Sequence, residues 1–494
     1  MSDKLAQGFL EDITAHPDDD TPRLIFADWL EEQGDSDRAE FIRVQIERAR
    51  LPKWDARQVR LRLREQELIK QHGQKWREEL PRIEGIHWMA FRRGFVATAN
   101  FAKFAVFREQ ASTCWAATPL EAVSIRWPRR NEAVDRIAPI AGLRELSIIA
   151  GFASQREVDR FADAPLLSTL RALNVRSGSL GVEGFRQLVA SPFLWNLKAL
   201  RTPSNSIGNG GISALFDADS LTSLEELDLS EEDNYGRYSE DPIIEATGME
   251  LLAGWPGMTR LRSLTLSGNA VGREGVHALL RSPRATGLKE LVLRDNGLNG
   301  SAMLEFRAAH PKLQLDVLDL GENLLGDLGA TGLASASCLR ELKVLNLDRC
   351  EIPSSGARGL AKALFLDSLR QLNVNNNSFG PEGLHALLKK NLSGLNILQI
   401  VNNDLGDEGI ARLAKSTASD TLLEVNLANN GQGFRAVAAL VKSAHLRNLL
   451  VLRFTGNLID KLDAAALVNS ALGKRLAILE ISEMPETTGE DIPF

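Results

Sequence analysis

The densest group of potential metal ligands in the sequence lies near the N-terminus and consists of Asp18, Asp19, Asp20 and Asp28. Carboxylate oxygens are the ligands that Ca²⁺ prefers, so a cation site is one interpretation of this group. Thr21 and Pro22 suit the first turn of a helix, and acidic residues before such a turn stabilise the helix dipole. Helix capping and solvent exposure explain the aspartates without an ion. We therefore predict no metal site and no cofactor.

The other reactive residue types form no recognisable catalytic arrangement. His277 and His385 share one position of a repeat but lie four repeats apart, too far to share a metal. The sequence has no G-x-x-x-x-G-K-[ST] loop, G-x-S-x-G, H-E-x-x-H or C-x-x-C motif. The three cysteines are too few for a disulfide framework and fit a reducing compartment; they are Cys114, Cys338 and Cys350. We predict that the chain is not an enzyme.

Composition limits the classes of partner. The net charge of −7 argues against nucleic-acid binding, which needs a dominant basic face. No apolar run approaches the roughly 20 residues of a membrane span, and the N-terminus has no secretory signal pattern. We expect a cytoplasmic protein with neither nucleic-acid nor membrane partners.

A fixed period dominates most of the sequence. The segment LRSLTLSGN, ending at Asn269, recurs in related forms as far as LLVLRFTGN, ending at Asn457, every 27 residues with a single spacing of 26. Weaker copies extend the pattern back to Leu120 and forward beyond Leu476, which makes about fourteen repeats. Constant self-similarity over this length predicts a solenoid.

Each repeat should contain a short strand and a helix. After the strand pattern, segments such as FGPEGLHALLKKN carry apolar residues at helical spacing. One repeated helix position holds Gly275, Gly383 and Gly409, where a side chain would crowd the neighbouring repeat. Because parallel strands lie closer together than packed helices, we expect a horseshoe with its strands on the concave face.

The repeated asparagine has a structural explanation. At the end of each strand its side chain can bond backbone groups that the strand leaves open. Cys350 replaces this asparagine in one repeat, so we interpret it as structural rather than reactive.

The repeats, written LxxLxLxxNxLGxxGxxxLA, resemble the ribonuclease-inhibitor class of leucine-rich repeats over roughly residues 119–484. The resemblance implies an α/β leucine-rich-repeat solenoid that binds proteins. The string HPDDDTPRLIFADWLEEQGDSDRAEFIRVQ resembles the bacterial repeat-companion domain, a module found ahead of such repeats. That family implies an architecture and no biochemical activity.

The N-terminal part does not follow the repeat. Residues 1–52 suggest a domain of three short helices, residues 53–118 a helical and aromatic cap, and residues 119–494 the solenoid. We interpret the cap aromatics as core; these are Trp76, Trp88, Phe91 and Phe95. Residues 1–40 carry 12 acids and 3 bases, whereas 41–82 carry 12 bases and 6 acids. Complementarity between helices is the first interpretation, and docking of a charged partner is the alternative.

The candidate binding residues follow the core leucines of the strands. A solenoid that leaves its strand face open needs polar side chains there, and such faces commonly bind partners. The predicted concave-face residues are Arg126, Arg176, Arg201, Asp228, Arg294, Asp319, Asn346, Asp348, Asn373, Asn375, Gln399, Asn426 and Arg453. One longer repeat inserts SEEDNYGRYSEDP and holds both tyrosines of the chain, Tyr235 and Tyr238. Recognition and a tolerated loop explain the insertion equally well.

Together these features predict a non-catalytic scaffold that grips a protein partner by its concave face. One alternative is a regulator of a partner enzyme, either an activator of a GTPase or an inhibitor. Another is a targeting or assembly role for residues 1–50, with the repeats as cargo.

Overall fold

The computed structural model describes residues 2–126, 138–149, 152, 154–177, 179–231, 243–390 and 392–482. The chain divides into two compact units, Met1–Ala270 (unit 1) and Val271–Phe494 (unit 2). None of the described helices is both long enough and apolar enough to cross a bilayer.

Unit 1 begins with four helices: α1 (Ser2–Ala15), α2 (Thr21–Glu32), α3 (Ser36–Arg50) and α4 (Arg57–Glu78). The first three are those predicted from the sequence. Pro22 lies in the first turn of α2. The Asp35 carboxylate accepts a hydrogen bond from the Arg38 N–H at 3.2 Å and caps α3.

Short strands and one helix connect these helices to the repeats: β1 (Ile86–Trp88), β2 (Phe91–Arg92), β3 (Phe95–Val96), β4 (Thr98–Phe101) and α5 (Phe104–Ala117). Strands β2 and β3 form an antiparallel hairpin, and β1 pairs antiparallel with β4. Phe95 of the hairpin packs into one apolar cluster with Phe26 and Ile42 of the helices. Phe91 packs into a second with Phe41 and Trp76. The hairpin therefore shares its core with α2, α3 and α4.

The repeats of unit 1 continue the sheet in parallel from β4 onward, in chain order. Their elements are β5 (Ala122–Arg126), β6 (Glu145–Ile149), α6 (Gln155–Ala162), β7 (Ala172–Arg176), α7 (Gly181–Val189), β8 (Ala199–Arg201), α8 (Gly208–Ala214), β9 (Glu226–Asp228), α9 (Ala246–Gly254) and β10 (Ser263–Thr265).

Unit 2 consists of further repeats whose strands are also parallel and in chain order. Its elements are α10 (Gly272–Arg281), β11 (Glu290–Val292), β12 (Val317–Asp319), α11 (Gly326–Ala334), β13 (Val344–Asn346), α12 (Ser354–Leu360), β14 (Gln371–Asn373), α13 (Gly380–Leu388), β15 (Ile397–Gln399), α14 (Gly406–Lys415), β16 (Glu424–Asn426), α15 (Phe434–Val441), β17 (Val451–Arg453), α16 (Lys461–Asn469) and β18 (Ile478–Glu480). Between β11 and β12 a 3₁₀ helix, Ala302–Ala308, replaces the expected α-helix. The predicted alternation of strand and helix, and with it the solenoid class, is confirmed.

Register places equivalent leucines in one buried row. Leu318 pairs with Leu291 on one side and Leu345 on the other, and all three are fully buried. The residues on either side of each leucine project to the opposite side of the sheet, where they remain partly accessible. That side is called the strand face.

The repeated asparagine performs the predicted backbone role. Asn323, which is 1% exposed, accepts hydrogen bonds from the N–H groups of Asn296 and Leu298 at 3.0 Å each. Its amide donates to the carbonyls of Leu293 and Leu320 at 2.8 and 2.9 Å. Each repeat is thereby bonded to the one before it at the end of the strand.

The repeated glycine acts through close packing, as predicted. A Cβ atom at Gly383 would lie 2.8 Å from the Cβ of Ala357 in the preceding repeat. At Gly409 it would lie 2.9 Å from the Cβ of Leu405. Any larger side chain at these positions would separate neighbouring helices or distort the turn before the helix.

Candidate functional site

All thirteen predicted concave-face residues lie at the end of a strand or two residues beyond it, and none is fully buried. The structure therefore places them on the strand face, four of them in unit 1 and nine in unit 2. The four in unit 1 are the last residues of β5, β7, β8 and β9, namely Arg126, Arg176, Arg201 and Asp228. Tyr235 and Tyr238 lie within residues 232–242, outside the described part of the chain.

The strand face of unit 2 has three rows of side chains. The first row contains the residue that begins each strand, the second the residue two positions later, and the third the residue four positions later. The unit 2 residues predicted from the sequence belong to the second and third rows, and none belongs to the first, which includes Val317, Val344 and Ile397. Its signal was present, because the first row lies one residue before the core leucine, or valine in β16, of each unit 2 strand.

On the strand face of unit 1, arginines are paired with acids that the sequence analysis did not select. Arg201 holds Glu226 through two hydrogen bonds of 2.5 and 2.9 Å. Arg92 of the hairpin bonds Glu145 at 2.9 Å. A cavity of 610 Å³ lies between the hairpin and β4 to β6, with Met89 and Ser147 among its lining residues. The hairpin thus lines one side of this cavity, at the β4 end of the strand face of unit 1.

A network of charges spans three strands of unit 2. Arg294 donates to Glu322 at 2.6 Å and to Asp348 at 2.8 Å. It reaches Asp348 by passing over Gly321, where a Cβ atom would clash with its guanidinium group. Arg349 binds the same Glu322 at 3.0 Å. The third-row residues Arg294 and Asp348 are therefore engaged with each other, and Glu322 and Arg349, one position beyond that row, extend the network.

Side chains of the second row cap the ends of their own strands, a structural role that was not predicted. The Asp319 carboxylate accepts the N–H of Gly321 at 2.9 Å, and Asp228 accepts the N–H of Ser230 at 3.0 Å. The same bond to the residue two positions later occurs, at 3.0 to 3.2 Å, for Asn346, Asn373 and Asn426. One oxygen of each side chain caps its own strand end, which fixes the orientation of the side chain.

Burial affects the two capping aspartates in the same way. Desolvation raises the pKa of Asp228 and of Asp319 above the ordinary aspartate range. Asp319 also accepts a hydrogen bond from the Asn346 amide at 2.8 Å. In the described part of the chain, neither carboxylate forms an ion pair of 4 Å or less.

A shallow cavity of 270 Å³, here called the unit 2 cleft, lies on the strand face over β11 to β15. Its aliphatic lining residues are Val292, Val317, Val344 and Ile397 on the strand face, together with the core leucines Leu318, Leu345 and Leu372. Its polar lining residues are Glu290, Asp319, Asn346, Gln371, Asn373 and Gln399. Apolar and polar side chains thus run side by side across five neighbouring strands.

The N-terminal aspartates are engaged separately rather than around a shared centre. Asp18 binds Arg171 through two contacts of 2.7 and 2.6 Å, and Asp20 binds Arg50 at 2.8 Å. Asp28 binds Arg43 at 2.7 Å, and Asp19 accepts the N–H of Thr21 at 2.8 Å. No group of three or more potential ligand side chains in the described residues is arranged to hold a metal ion.

These contacts favour the interpretation that acidic and basic helices complement one another. Glu40 of α3 also binds Arg64 of α4, with two hydrogen bonds of 2.7 Å. Arg23 of α2 is 1% exposed and bonds Glu121, just before β5, at 2.9 Å. The helices of residues 1–52 are therefore attached to the first repeats of unit 1 by charged contacts and to the β2–β3 hairpin by apolar packing.

The cysteines are poor nucleophiles in this structure. All three are buried and none is disulfide-bonded. Burial raises the pKa of Cys114 to about 11 and that of Cys338 and Cys350 to about 12. The Cys350 thiol lies 3.2 Å from the Leu320 carbonyl, where the repeated asparagine would otherwise bond. The structural interpretation of Cys350 agrees with this environment.

Comparisons with known proteins give a limited match. A family model described as Leucine Rich repeat matches residues 367–388 and 395–414. No curated protein matches the chain. Among solved structures, a chain from the yeast Rad7–Elc1 complex has 18% identity and a TM-score of 0.40, covering 70% of this chain and 85% of that chain. An internalin, InlF, from Listeria monocytogenes has 16% identity and a TM-score of 0.40, covering 74% of this chain and 87% of that chain.

Proposed function

We propose that this leucine-rich-repeat protein is a non-catalytic scaffold that binds a protein partner through its strand faces. The observation that carries the proposal is the accessible surface of the parallel strands in both units. Parallel sheets are normally covered on both sides, yet here one side carries half-buried polar and aliphatic residues. Such a mixed polar and apolar surface is typical of interfaces between proteins.

The finer assignments are parts of the same proposal. We assign residues 1–52 to the repeat-companion family on the strength of the resemblance in their sequence. We assign the repeats to the ribonuclease-inhibitor class because of their 27-residue period and their helices. A cytoplasmic location fits three buried cysteines that form no disulfide.

The test is affinity capture with the full chain from extracts of its source, followed by mass spectrometry. Three strand-face variants, Arg176→Ala, Arg201→Ala and Asp319→Asn, are compared with the wild type and with Arg412→Ala. Arg412 is a matched control because it pairs with Glu382 and Glu408 on the helices, away from the strand face. We expect at least one partner to be retained by the control and lost with a strand-face variant.

Salt provides a second readout of the same surface. Binding through partly exposed charges should weaken as ionic strength rises. Capture that is equal for the wild type and all three strand-face variants would contradict the proposed function. Loss of the partner with Arg412→Ala alone would indicate that the partner binds to the helices instead of the strand face.

A further inference from the structure

The volume of the unit 2 cleft suits the side chains of a partner rather than a whole small molecule. Its volume of 270 Å³ is below the range of about 300–1,000 Å³ typical of small-molecule and cofactor pockets. It is elongated across β11 to β15, whose four intervals of about 4.8 Å span about 19 Å. An extended peptide advances about 3.3 Å per residue, so about six residues would cross it.

The apolar part of the cleft has no cover among the described residues. Val317, Val344 and Ile397 begin their strands and remain half-buried, whereas Val451 at the equivalent position of β17 is fully buried. Covering three such side chains would stabilise a complex through removal of apolar surface from water. Aliphatic side chains of a peptide would fit this row.

The charge of the surface over β11 to β15 is negative. Its three rows contain three carboxylates, Glu290, Asp319 and Asp348, and one cation, Arg294. Arg294 already binds Asp348 and Glu322. Asp319 has hydrogen-bond donors but no ion pair in the described part of the chain. A cationic side chain of the ligand would therefore form an ion pair with Asp319.

Two amide groups complete the surface. The Asn373 oxygen accepts the N–H of Asn375 at 3.0 Å, which leaves its NH₂ group as the available donor. The side-chain amide of Gln399, on the neighbouring strand, has no hydrogen-bond partner among the residues described. Donors placed beside an apolar row can bond the carbonyls of an extended backbone lying across the strands.

We propose that the unit 2 cleft binds an extended peptide segment of a partner protein in which aliphatic residues alternate with lysine or arginine. The proposal rests on the scaffold function and names the chemistry of the segment recognised. The aliphatic side chains contact Val317, Val344 and Ile397, and a basic side chain pairs with Asp319. The peptide backbone accepts hydrogen bonds from Asn373 and Gln399.

The test measures fluorescence anisotropy with the full chain and labelled synthetic peptides. The probe is KVKIKV, and the comparison peptides are EVEIEV, with reversed charge, and KSKSKS, without aliphatic residues. We expect KVKIKV to bind at least about tenfold more tightly than either comparison peptide, because each lacks one of the two contacts.

Two variants report on the named contacts. Asp319→Asn keeps the oxygen that caps the strand but removes the charge and the acceptor of the Asn346 amide. Val344→Thr keeps the shape and removes apolar surface. Each should weaken KVKIKV binding by about fivefold. Asp35→Asn is the matched control, because Asp35 also caps an element through one carboxylate oxygen but lies at the start of α3, away from the strand face. It should change binding by less than about twofold.

Equal binding of EVEIEV or KSKSKS would overturn the proposal, as would an unchanged affinity of Asp319→Asn or an equal loss with Asp35→Asn. Circular dichroism of each variant separates loss of binding from loss of fold. A captured partner that depends on Arg176 and Arg201, together with no binding of KVKIKV, would reject the cleft ligand and leave the scaffold function standing.

Discussion

Replacement of a repeated asparagine offers the most direct test of how the repeats are held together. Asn323→Ala removes the acceptor of two buried backbone N–H groups, those of Asn296 and Leu298. It also removes the donor to the carbonyls of Leu293 and Leu320. A buried donor left without an acceptor costs about 1–3 kcal/mol. Two such donors give an expected loss of about 4 kcal/mol in the free energy of unfolding.

The chain contains its own comparison for this substitution. Cys350 occupies the asparagine position of the next repeat, and its thiol contacts the Leu320 and Asp348 carbonyls at 3.2 and 3.6 Å. A thiol is a weaker donor and acceptor than an amide. We therefore expect Asn323→Cys to lose less stability than Asn323→Ala, and Cys350→Asn to gain about 1 kcal/mol.

The assay must report locally, because arrays of repeats do not always unfold in a single step. Hydrogen exchange followed by mass spectrometry gives the protection of the Asn296 and Leu298 amides, and urea unfolding gives the total loss. Asn299→Ala is the control, since Asn299 is exposed and caps only Ser301. Unchanged protection of the two amides in Asn323→Ala, or a loss no larger than that of the control, would refute the reasoning.

Three further predictions concern other contacts of the structure. The pKa of Glu305 is lowered by hydrogen bonds from His277 and Arg273, so its stabilising effect is present above the ordinary glutamate pKa and is lost as pH falls through the lowered value. Thermal melts should therefore show Glu305→Gln to be less stable than the wild type at neutral pH, with a difference that shrinks below about pH 4. Gly321→Ala should displace Arg294 from Asp348 and cost about 1 kcal/mol in urea unfolding, and no additional loss should occur in the Arg294→Met background. A thiol reagent at neutral pH should leave the native protein unmodified and label all three cysteines after denaturation, because burial raises their pKa values; fast labelling of the native protein would contradict the burial.

The sequence predicted those features that a single repeat determines. The period located the strands and the buried leucines, and the asparagine at the strand end pointed to the backbone groups that it satisfies. The cap of α3 is a feature of the same local kind, since Asp35 immediately precedes its first turn. These features depend on neighbours within a few residues or on a position that recurs in every repeat.

The ion pairs between repeats were not predicted, because they depend on the space that the side chains of neighbouring repeats leave unoccupied. Arg294 reaches Asp348, two strands away, only because Gly321 on the intervening strand has no side chain. Nothing in the 27-residue pattern indicates that Arg294 would form an ion pair with Asp348 rather than with Asp319. The aliphatic residues of the first row were missed for a different reason. In a sequence, a valine or isoleucine next to a core leucine is easily interpreted as a further core residue.

The capping role of the second row bears on how the strand face would bind. An asparagine or aspartate whose oxygen is bonded to its own backbone has already lost rotamer freedom before a partner arrives. Ordering a side chain on binding costs about 0.5–1.5 kcal/mol, so Asn373 should lose less on binding than Gln399, which has no such bond. Asn373→Gln keeps the amide but lengthens the side chain beyond the geometry of the cap. Its effect on peptide affinity therefore distinguishes a surface that binds through fixed side chains from one that binds through the amide group alone.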